Sequence, residues 1–438
     1  MKVYKFGGTS VGTIENMRTV MNLIADGEQK LVVLSAMSGT TNNLVEISDY
    51  LAKKNKESAL GIISALEKKY YNVVFDLYST KEIKEQGKRI LEERFEVIKS
   101  YTSGVFPEEG ARALLAQGEL ISTALFTLLM QESGYNTLLL PALDFMKIDG
   151  EKMPDSQYIK NKLNSLLKSS PKVDYYITQG FICRNDAGEI DNLQRGGSDY
   201  TATLIGAAIN SEEVQIWTDI DGFHNNDPRY VENTRKVDTL SFNEASELAY
   251  FGAKILHPQT VLPAMMSDIP VRLKNTMNPP DPGTLITSES KTKGIKAVAA
   301  KDGITAIKIR SGRMLNAYGF IKNIFEIFEF FKTSIDMITT SEVAVSLTID
   351  DPKHLEEIII ELKEYGKVDI DRNQTIVCIV GNMIAEEKGF AAKVFTALED
   401  IPIRMISYGG SRNNISVLVN SNDKKATLRA LSAKLLNS

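Results

Sequence analysis

At 438 residues the chain has room for about three domains of ordinary size, and 43% hydrophobic against 24% charged residues can supply a sizeable core. A net charge of −5, with no long basic run, argues against a nucleic-acid or anionic-membrane surface. Three histidines in all, and two widely separated cysteines (Cys183 and Cys378), argue against a His- or Cys-built metal site and predict free thiols in a reducing cytoplasm.

A first strand is expected at once, with Val3, Tyr4 and Phe6 around Lys5, which leaves no room for a signal peptide. The pattern at 14–26 predicts an amphipathic helix, and Leu31-Val32-Val33-Leu34 a second strand. From about 52 to 103 the chain is rich in lysine and glutamate and helical in period, which reads as a helical excursion from a sheet. Helical patterns at 110–132, 156–168 and 199–209 then alternate with strands at Leu138-Leu139-Leu140, Tyr175-Tyr176-Ile177-Thr178 and Val214-Gln215-Ile216-Trp217. Such alternation predicts a largely parallel sheet covered on both faces. No apolar run is expected to approach the ~18 residues of a membrane span. Pro279-Pro280-Asp281-Pro282-Gly283 breaks regular structure. Beyond it lies an internal repeat: Thr305-Ala306-Ile307-Lys308-Ile309 is echoed from Thr375, Gly319-Phe320 at Gly389-Phe390, and Ile335-Asp336-Met337-Ile338-Thr339 from Ile403. Two copies of one small βαββ-type module account for it.

Lys5-Phe6-Gly7-Gly8-Thr9-Ser10 follows the first strand. A glycine pair lets backbone amides approach an anion, and Lys5 adds a charge, although a plain tight turn has the same composition. The lysine precedes the glycines, so the order is not that of a P-loop, and no G-x-G-x-x-G is present. Four further stretches bear on the choice. Ser35-Ala36-Met37-Ser38-Gly39-Thr40-Thr41-Asn42 is a hydroxyl-rich loop, and Gln117-Gly118-Glu119 puts an acid into an apolar helix. Leu193-Gln194-Arg195-Gly196-Gly197-Ser198-Asp199 is a second glycine turn, with Ser198 or Asp199 the expected helix cap. Trp217-Thr218-Asp219-Ile220-Asp221-Gly222 and Asp227-Pro228-Arg229 close a strand with carboxylates and an arginine. Ligands of open α/β sheets sit beyond the carboxyl ends of the strands, and all these loops but Gln117-Gly118-Glu119 follow expected strands. One crevice could therefore collect Lys5, both glycine turns, Arg195, Arg229 and the carboxylates, an inventory suited to phosphoryl transfer.

K-F-G-G-T-S-V at 5–11, S-A-M-S-G-T-T-N at 35–42, Q-G-E-L-I-S at 117–122, Q-R-G-G-S-D at 194–199, W-T-D-I-D-G at 217–222, D-P-R at 227–229, F-G-A-K-I-L-H-P at 251–258 and I-T-T-S-E at 338–342 together resemble aspartate kinase across essentially the whole chain. The resemblance implies an amino-acid-kinase αβα sandwich with a mainly parallel sheet over 1–292, including the excursion at about 52–103. Two ferredoxin-like ACT domains follow at 301–370 and 371–438, the strand at 295–300 contributing to the second. It implies ATP and Mg²⁺ as cosubstrates and 4-phospho-L-aspartate as product, the first step of lysine, threonine and methionine biosynthesis, in a cytoplasmic enzyme. With the chain ending at 438, the resemblance is to the monofunctional form without a fused homoserine dehydrogenase.

By the same resemblance, Lys5 lies against the transferring phosphoryl group, Gly7 and Gly8 amides hold phosphate oxygens, and Asp199 organises the lysine. Ser35, Thr41, Glu119, Arg195 and Ser198 face aspartate, Arg195 clamping its α-carboxylate bidentately and Glu119 pairing with its α-ammonium. Thr218, Asp219, His224, Arg229 and Lys254 belong to the nucleotide side, His224 standing where relatives often carry tyrosine. His257, before Pro258, reads as structural. No general base stands out, and none is needed: the substrate's β-carboxylate, with a reference pKa of about 3.9, is already ionised. No side-chain metal site is expected, the Mg²⁺ accompanying ATP. In the first ACT module Met314, Phe320, Ile321, Asp336, Thr340, Ser341 and Glu342 match the effector positions of lysine-sensitive relatives, while Ala317 replaces a serine. Asp336 or Glu342 could hold an ammonium. The effector implied is lysine, with threonine as an alternative, and the modules imply a homodimer or tetramer; their other reading is a dimer interface alone.

Overall fold

The computed structural model describes every residue except 108, 194–195, 253–254, 290–293, 315–317, 383–385 and 437–438. It divides into two compact units, Met1–Gly222 with Leu256–Ser288, and Phe223–Ile255 with Glu289–Ser438. Phe223–Ile255, expected within the N-terminal part, thus groups with the C-terminal part. The reason is local bonding: Val298 N–H donates to Asn225 O at 2.9 Å, Asn226 Nδ2 to Leu428 O at 3.0 Å, and Asn414 Nδ2 to Glu247 Oε2 at 2.5 Å.

The first unit contributes β1 (Lys2–Phe6), β2 (Lys30–Leu34), β3 (Thr137–Leu139), β4 (Tyr175–Gln179), β7 (Val214–Thr218), β9 (Val271–Asn275) and β10 (Thr284–Thr287) to one sheet in the order β3-β4-β2-β1-β7-β9-β10. All neighbours in that series are parallel except β9 and β10. β5 (Ile182–Arg184) and β6 (Ile190–Asn192) form a separate antiparallel hairpin. The second glycine turn therefore follows a hairpin strand and not, as the general rule suggested, a strand of the main sheet.

Side-chain alternation along β1 decides which way its residues face. Tyr4 and Phe6 join a core with Val32, Leu34, Tyr175, Ile177 and Trp217. Against that core pack α1 (Ile14–Ile24), α2 (Thr40–Ala52), α3 (Lys56–Leu77), α4 (Lys81–Ser100) and α5 (Gly110–Glu132). Lys5 accordingly faces the other layer, where α7 (Gly197–Ile209) lies on β1 and β7, flanked by α6 (Ser156–Ser169) and α9 (Pro258–Met266). The helical excursion is α3 and α4, which share the core of the unit through Tyr70, Val74, Leu91 and Phe95.

One helix, α5, is long and apolar enough to cross a membrane by length and composition, but 83% of its most apolar stretch is buried inside the protein. Its sequence is apolar all round because it is surrounded by protein on every side.

The second unit contains β8 (Thr239–Ser241) and α8 (Phe242–Tyr250), then a six-stranded antiparallel sheet. Its strands are β11 (Gly294–Arg310), β12 (Ile338–Thr340), β13 (Ala344–Ile349), β14 (Lys367–Asn382), β15 (Met405–Tyr408) and β16 (Asn414–Asn420), in the order β12-β13-β11-β14-β16-β15. α10 (Phe320–Phe330) and α11 (Leu355–Lys363) pack on a core containing Ile307, Ile309 and Leu347. α12 (Phe390–Ala397) and α13 (Lys424–Leu431) pack on a second core containing Val298, Val377, Ile379 and Val417. The repeat has a shared backbone cause: α10 and α12 each begin after a left-handed glycine, Gly319 at φ 82° and Gly389 at φ 77°.

The excursion also fastens the start of α2, because Tyr70 OH and Thr40 Oγ1 are hydrogen-bonded at 2.8 Å inside the core. A Tyr70→Phe variant leaves that hydroxyl unpaired in a dry site, at a cost of about 1–2 kcal/mol. Thermal unfolding should show a lower midpoint; an unchanged midpoint would mean that the bond does not fasten α2.

Candidate active site

Beyond the carboxyl ends of β1, β2 and β7 the first unit forms a cleft of about 510 Å³. Lys5, Gly7, Gly8, Ser35, Thr41, Glu119, Ser198, Asp199 and Thr218 line it, so nine of the expected residues meet in one place. Arg195 and Lys254 lie outside the described residues. Asp219 sits exposed past the end of β7, accepting from the Thr218 hydroxyl at 3.0 Å.

At the centre Lys5 Nζ stands 2.7 Å from Asp199 Oδ1, with the two side chains 11% and 15% exposed. Asp199 occupies the first turn of α7. Neither Ser198 nor Asp199 caps that helix, as expected from their types. The cap is Gly196, at φ 75°, where a side chain would be strained and a Cβ would meet Thr260 Cγ2 at 2.4 Å. Ser198 instead receives a hydrogen bond from Ser35 Oγ at 3.0 Å. The start of α2 matches this: Gly39, at φ 79°, caps it without a side-chain bond. Two helix N-termini without side-chain caps thus open at this cleft, and such amides favour anions.

The first glycine turn is only half available. Gly7 N–H already donates to Trp217 O at 3.2 Å, whereas Gly8 N–H has no intramolecular partner among the described residues. A Cβ on Gly8 would sit 3.0 Å from Ala36 O, so glycine permits the close approach of these two loops.

Glu119 is reached by a different route. Gly118 lets α5 lie against the Ala36 loop, since a Cβ there would meet Ala36 Cβ at 2.9 Å. Glu119 Oε1 then accepts Ala36 N–H at 3.1 Å, while the buried Oε2 has no hydrogen-bond partner among the described residues. With 3% exposure Glu119 is no outward helix face. Burial pushes its carboxyl up to about 7, against the opposing effect of the Ala36 bond.

Thr9, Met37, Ser38 and Asn42, from the quoted loops but without an assigned role, also line the cleft, and so does Phe181, which was not foreseen. Phe181 carries a backbone signal that no motif search reads, a φ of 69° on a bulky side chain. Its N–H donates to Thr201 Oγ1 at 3.0 Å, holding the strained turn beside α7.

His224 and Arg229 belong to the second unit. Arg229 forks onto Asp227, with Nη2 to Oδ2 at 2.7 Å, and His224 Nδ1 lies 3.1 Å from Thr234 Oγ1. Of the expected effector residues, Thr340, Ser341 and Glu342 are exposed at the end of β12. Ile321 is 39% exposed, and Met314 is partly buried against the first module's core. Phe320 is a core side chain. Asp336 is not free to hold an ammonium unaided, because its side chain is fully buried and pairs with Lys301 at 2.8 Å. Ala317 lies outside the described residues.

A model of the amino acid kinase family matches residues 1–275, and an ACT domain model matches residues 377–435. The lysine-sensitive aspartokinase 3 of Escherichia coli is 33% identical over 449 residues, covering 99% of this chain and 98% of that protein. The chain belongs to the aspartokinase family. The chloroplastic aspartokinase 1 of Arabidopsis thaliana is likewise 33% identical, over 98% of this chain and 79% of its own length. The crystal structure of E. coli aspartokinase III with aspartate and ADP matches over 100% of both chains, at 32% identity and a TM-score of 0.84. The aspartate kinase of Clostridium acetobutylicum matches at 27% identity, with a TM-score of 0.84 over 99% of this chain and 100% of that one. The chain is thus an aspartate kinase with an allosteric ACT region.

The raised Glu119 value sets a pH dependence. Between the ordinary 4.5 and about 7 the native state keeps a proton that the unfolded chain releases, so native stability falls as pH rises through that window. Glu119→Gln should therefore raise the unfolding midpoint of the substrate-free protein at pH 8 and leave it nearly unchanged at pH 5. Equal shifts at both pH values would contradict a buried, titrating Glu119.

Proposed function

We propose that this aspartokinase transfers the γ-phosphoryl group of ATP to the side-chain carboxylate of L-aspartate, in the cytoplasm and as the first step of lysine, threonine and methionine biosynthesis. The observation that carries the reading is the buried Lys5–Asp199 pair and a half-satisfied Glu119 carboxylate, with its open Oε2, lining one cleft.

The cleft fits both substrates in charge. Polyphosphate oxygens would meet Lys5, the Gly8 N–H and the amide ends of α2 and α7, all of which favour anions. Aspartate's ammonium would take the open Glu119 Oε2, restoring the charge pairing that burial withholds. Ser35, Ser198 and Thr41 would orient the rest of the amino acid, with Arg195 on its α-carboxylate. Thr218, Asp219, His224, Arg229 and Lys254 are the nucleotide candidates. Among the described residues no group of three or more acidic, histidine or cysteine side chains could hold a metal ion. The Mg²⁺ that accompanies ATP would be held mainly by the phosphate oxygens, and when bound it would supply further charge neutralisation.

The β-carboxylate attacks phosphorus directly, forming the acyl phosphate as the bond to the ADP oxygen breaks. Lys5 offsets the charge on the transferring oxygens, and Asp199 holds the ammonium group in place. No side chain needs to take a proton.

Regulation is proposed to act through Met314, Phe320, Ile321, Asp336, Thr340, Ser341 and Glu342, with lysine the effector and threonine the alternative. E. coli aspartokinase III, whose structure in complex with lysine and aspartate matches at 32% identity and a TM-score of 0.82, supports lysine. A homodimer or tetramer joined through the ACT domains goes with this reading.

Trapping with hydroxylamine tests the chemistry. ATP, Mg²⁺ and L-aspartate should give aspartyl hydroxamate, L-glutamate in place of L-aspartate should give none, and lysine or threonine should reduce the yield. No hydroxamate from folded protein would overturn the substrate assignment.

A further inference from the structure

The Asp336 carboxylate is already occupied from inside the molecule. Tyr250, the last residue of α8, donates its hydroxyl to Asp336 Oδ1 at 2.5 Å. Lys301 Nζ lies 2.8 Å from the same oxygen and 2.8 Å from Asp350 Oδ2, and it stands over the Tyr250 ring at 4.3 Å from the centroid. Asp336 Oδ2 is buried with no hydrogen-bond partner among the described residues. The carboxylate is therefore half paired: one oxygen is shared by a phenol and an ammonium, and the other is unsatisfied.

We infer that Tyr250 and Lys301 are internal competitors for Asp336, so that an amino-acid effector binds only by displacing them and thereby releases the end of α8. The inference rests on the effector reading above. An incoming ammonium on Oδ2 would stand beside the Lys301 ammonium, and two like charges on one buried carboxylate repel. Asp350 gives Lys301 a place to retreat, and its stacking on Tyr250 would be lost with the move.

Tyr250 is the consequential partner. Burial first, and the Asp336 carboxylate second, push its phenol up, so it remains a donor at neutral pH. The front of α8 is held independently, by the Ser241–Glu244 capping box. In its last turn Leu248 is buried and Glu247 accepts from Asn414, and Tyr250 at the very end adds the bond to Asp336. That turn runs directly into Phe251-Gly252-Ala253-Lys254, the stretch that bears the nucleotide-side lysine. A ligand shifts an equilibrium only through an interaction that differs between two states, and the Tyr250–Asp336 bond is such an interaction. Tyr250 is thus a positioning residue that sets the effector threshold.

The test uses the full chain, with L-lysine and L-threonine as probes, titrated by calorimetry and in the hydroxamate assay. Tyr250→Phe keeps the ring over Lys301 and removes only the hydroxyl. It should lower both the Kd and the half-inhibitory concentration of the effector by roughly tenfold, the weight of one hydrogen bond to a charged group, and, because the same bond holds the end of α8, it should also lower activity in the absence of effector. Asp350→Asn removes the retreat of Lys301 and should raise both values. A Tyr250→Phe protein with a lower melting temperature but unchanged Kd would overturn the inference and leave Tyr250 a structural contact, and a raised Kd would overturn it outright. If wild type binds neither amino acid, the effector reading itself fails and takes this inference with it.

Discussion

A lysine at the N-terminus of a helix is electrostatically misplaced, and the 2.7 Å contact of Lys5 with Asp199 is what allows it to stand there. The carboxylate sits in the first turn of α7, where the helix dipole favours a negative charge, and it offsets the cation that β1 delivers to the same spot. Everything around the pair serves to keep it in register. Parallel pairing of β1 with β2 and β7 fixes the direction of Lys5, because a slip of one residue would turn it into the Tyr4–Phe6 core. Gly196 and Gly8 permit approaches that a side chain would block. The outcome is a cation held in place at the cleft.

Glu119 complements this arrangement from the opposite layer. Its α5 helix is apolar enough to resemble a membrane span, and that apolar setting is the source of the raised carboxyl value. A buried acid with one free oxygen is costly unless a cation arrives. Substrate affinity and native stability are therefore coupled at one side chain, so the protein tolerates a destabilising group where the reaction uses it.

Much of the layout was readable in advance, because strand and helix periods are local properties. The α5 helix spans the predicted 110–132, and α1, α6 and α7 differ from their patterns by a few residues at the ends. The glycine pairs and Lys5 were conspicuous for the same reason: each is a residue type whose chemistry is carried within a few positions. What escaped depended on distant partners. Ser198 and Asp199 have ordinary cap chemistry, yet a left-handed Gly196 takes the cap because Thr260 leaves no room there for a side chain. The Gly7 amide is spent on Trp217, and Phe181 enters the cleft through a strained turn, neither of which a motif encodes. In the second unit β11 runs unbroken from Gly294 to Arg310. Its first half pairs with Ile376–Asn382 and its second with Lys367–Gln374, so one strand serves both cores. The family resemblance implied that 295–300 contributes to the second module; the repeat of 70 residues by itself does not encode such pairing.

The central claim, that Lys5 acts on the phosphoryl group in flight while Asp199 positions it, is tested most directly by comparing turnover with substrate binding in Lys5→Met. The account predicts a kcat lower by about 10³-fold or more, the scale of one preorganised electrostatic contact, with the Kd for L-aspartate close to wild type. A variant that keeps a tenth or more of the wild-type kcat, or that loses aspartate binding in proportion to turnover, would contradict it.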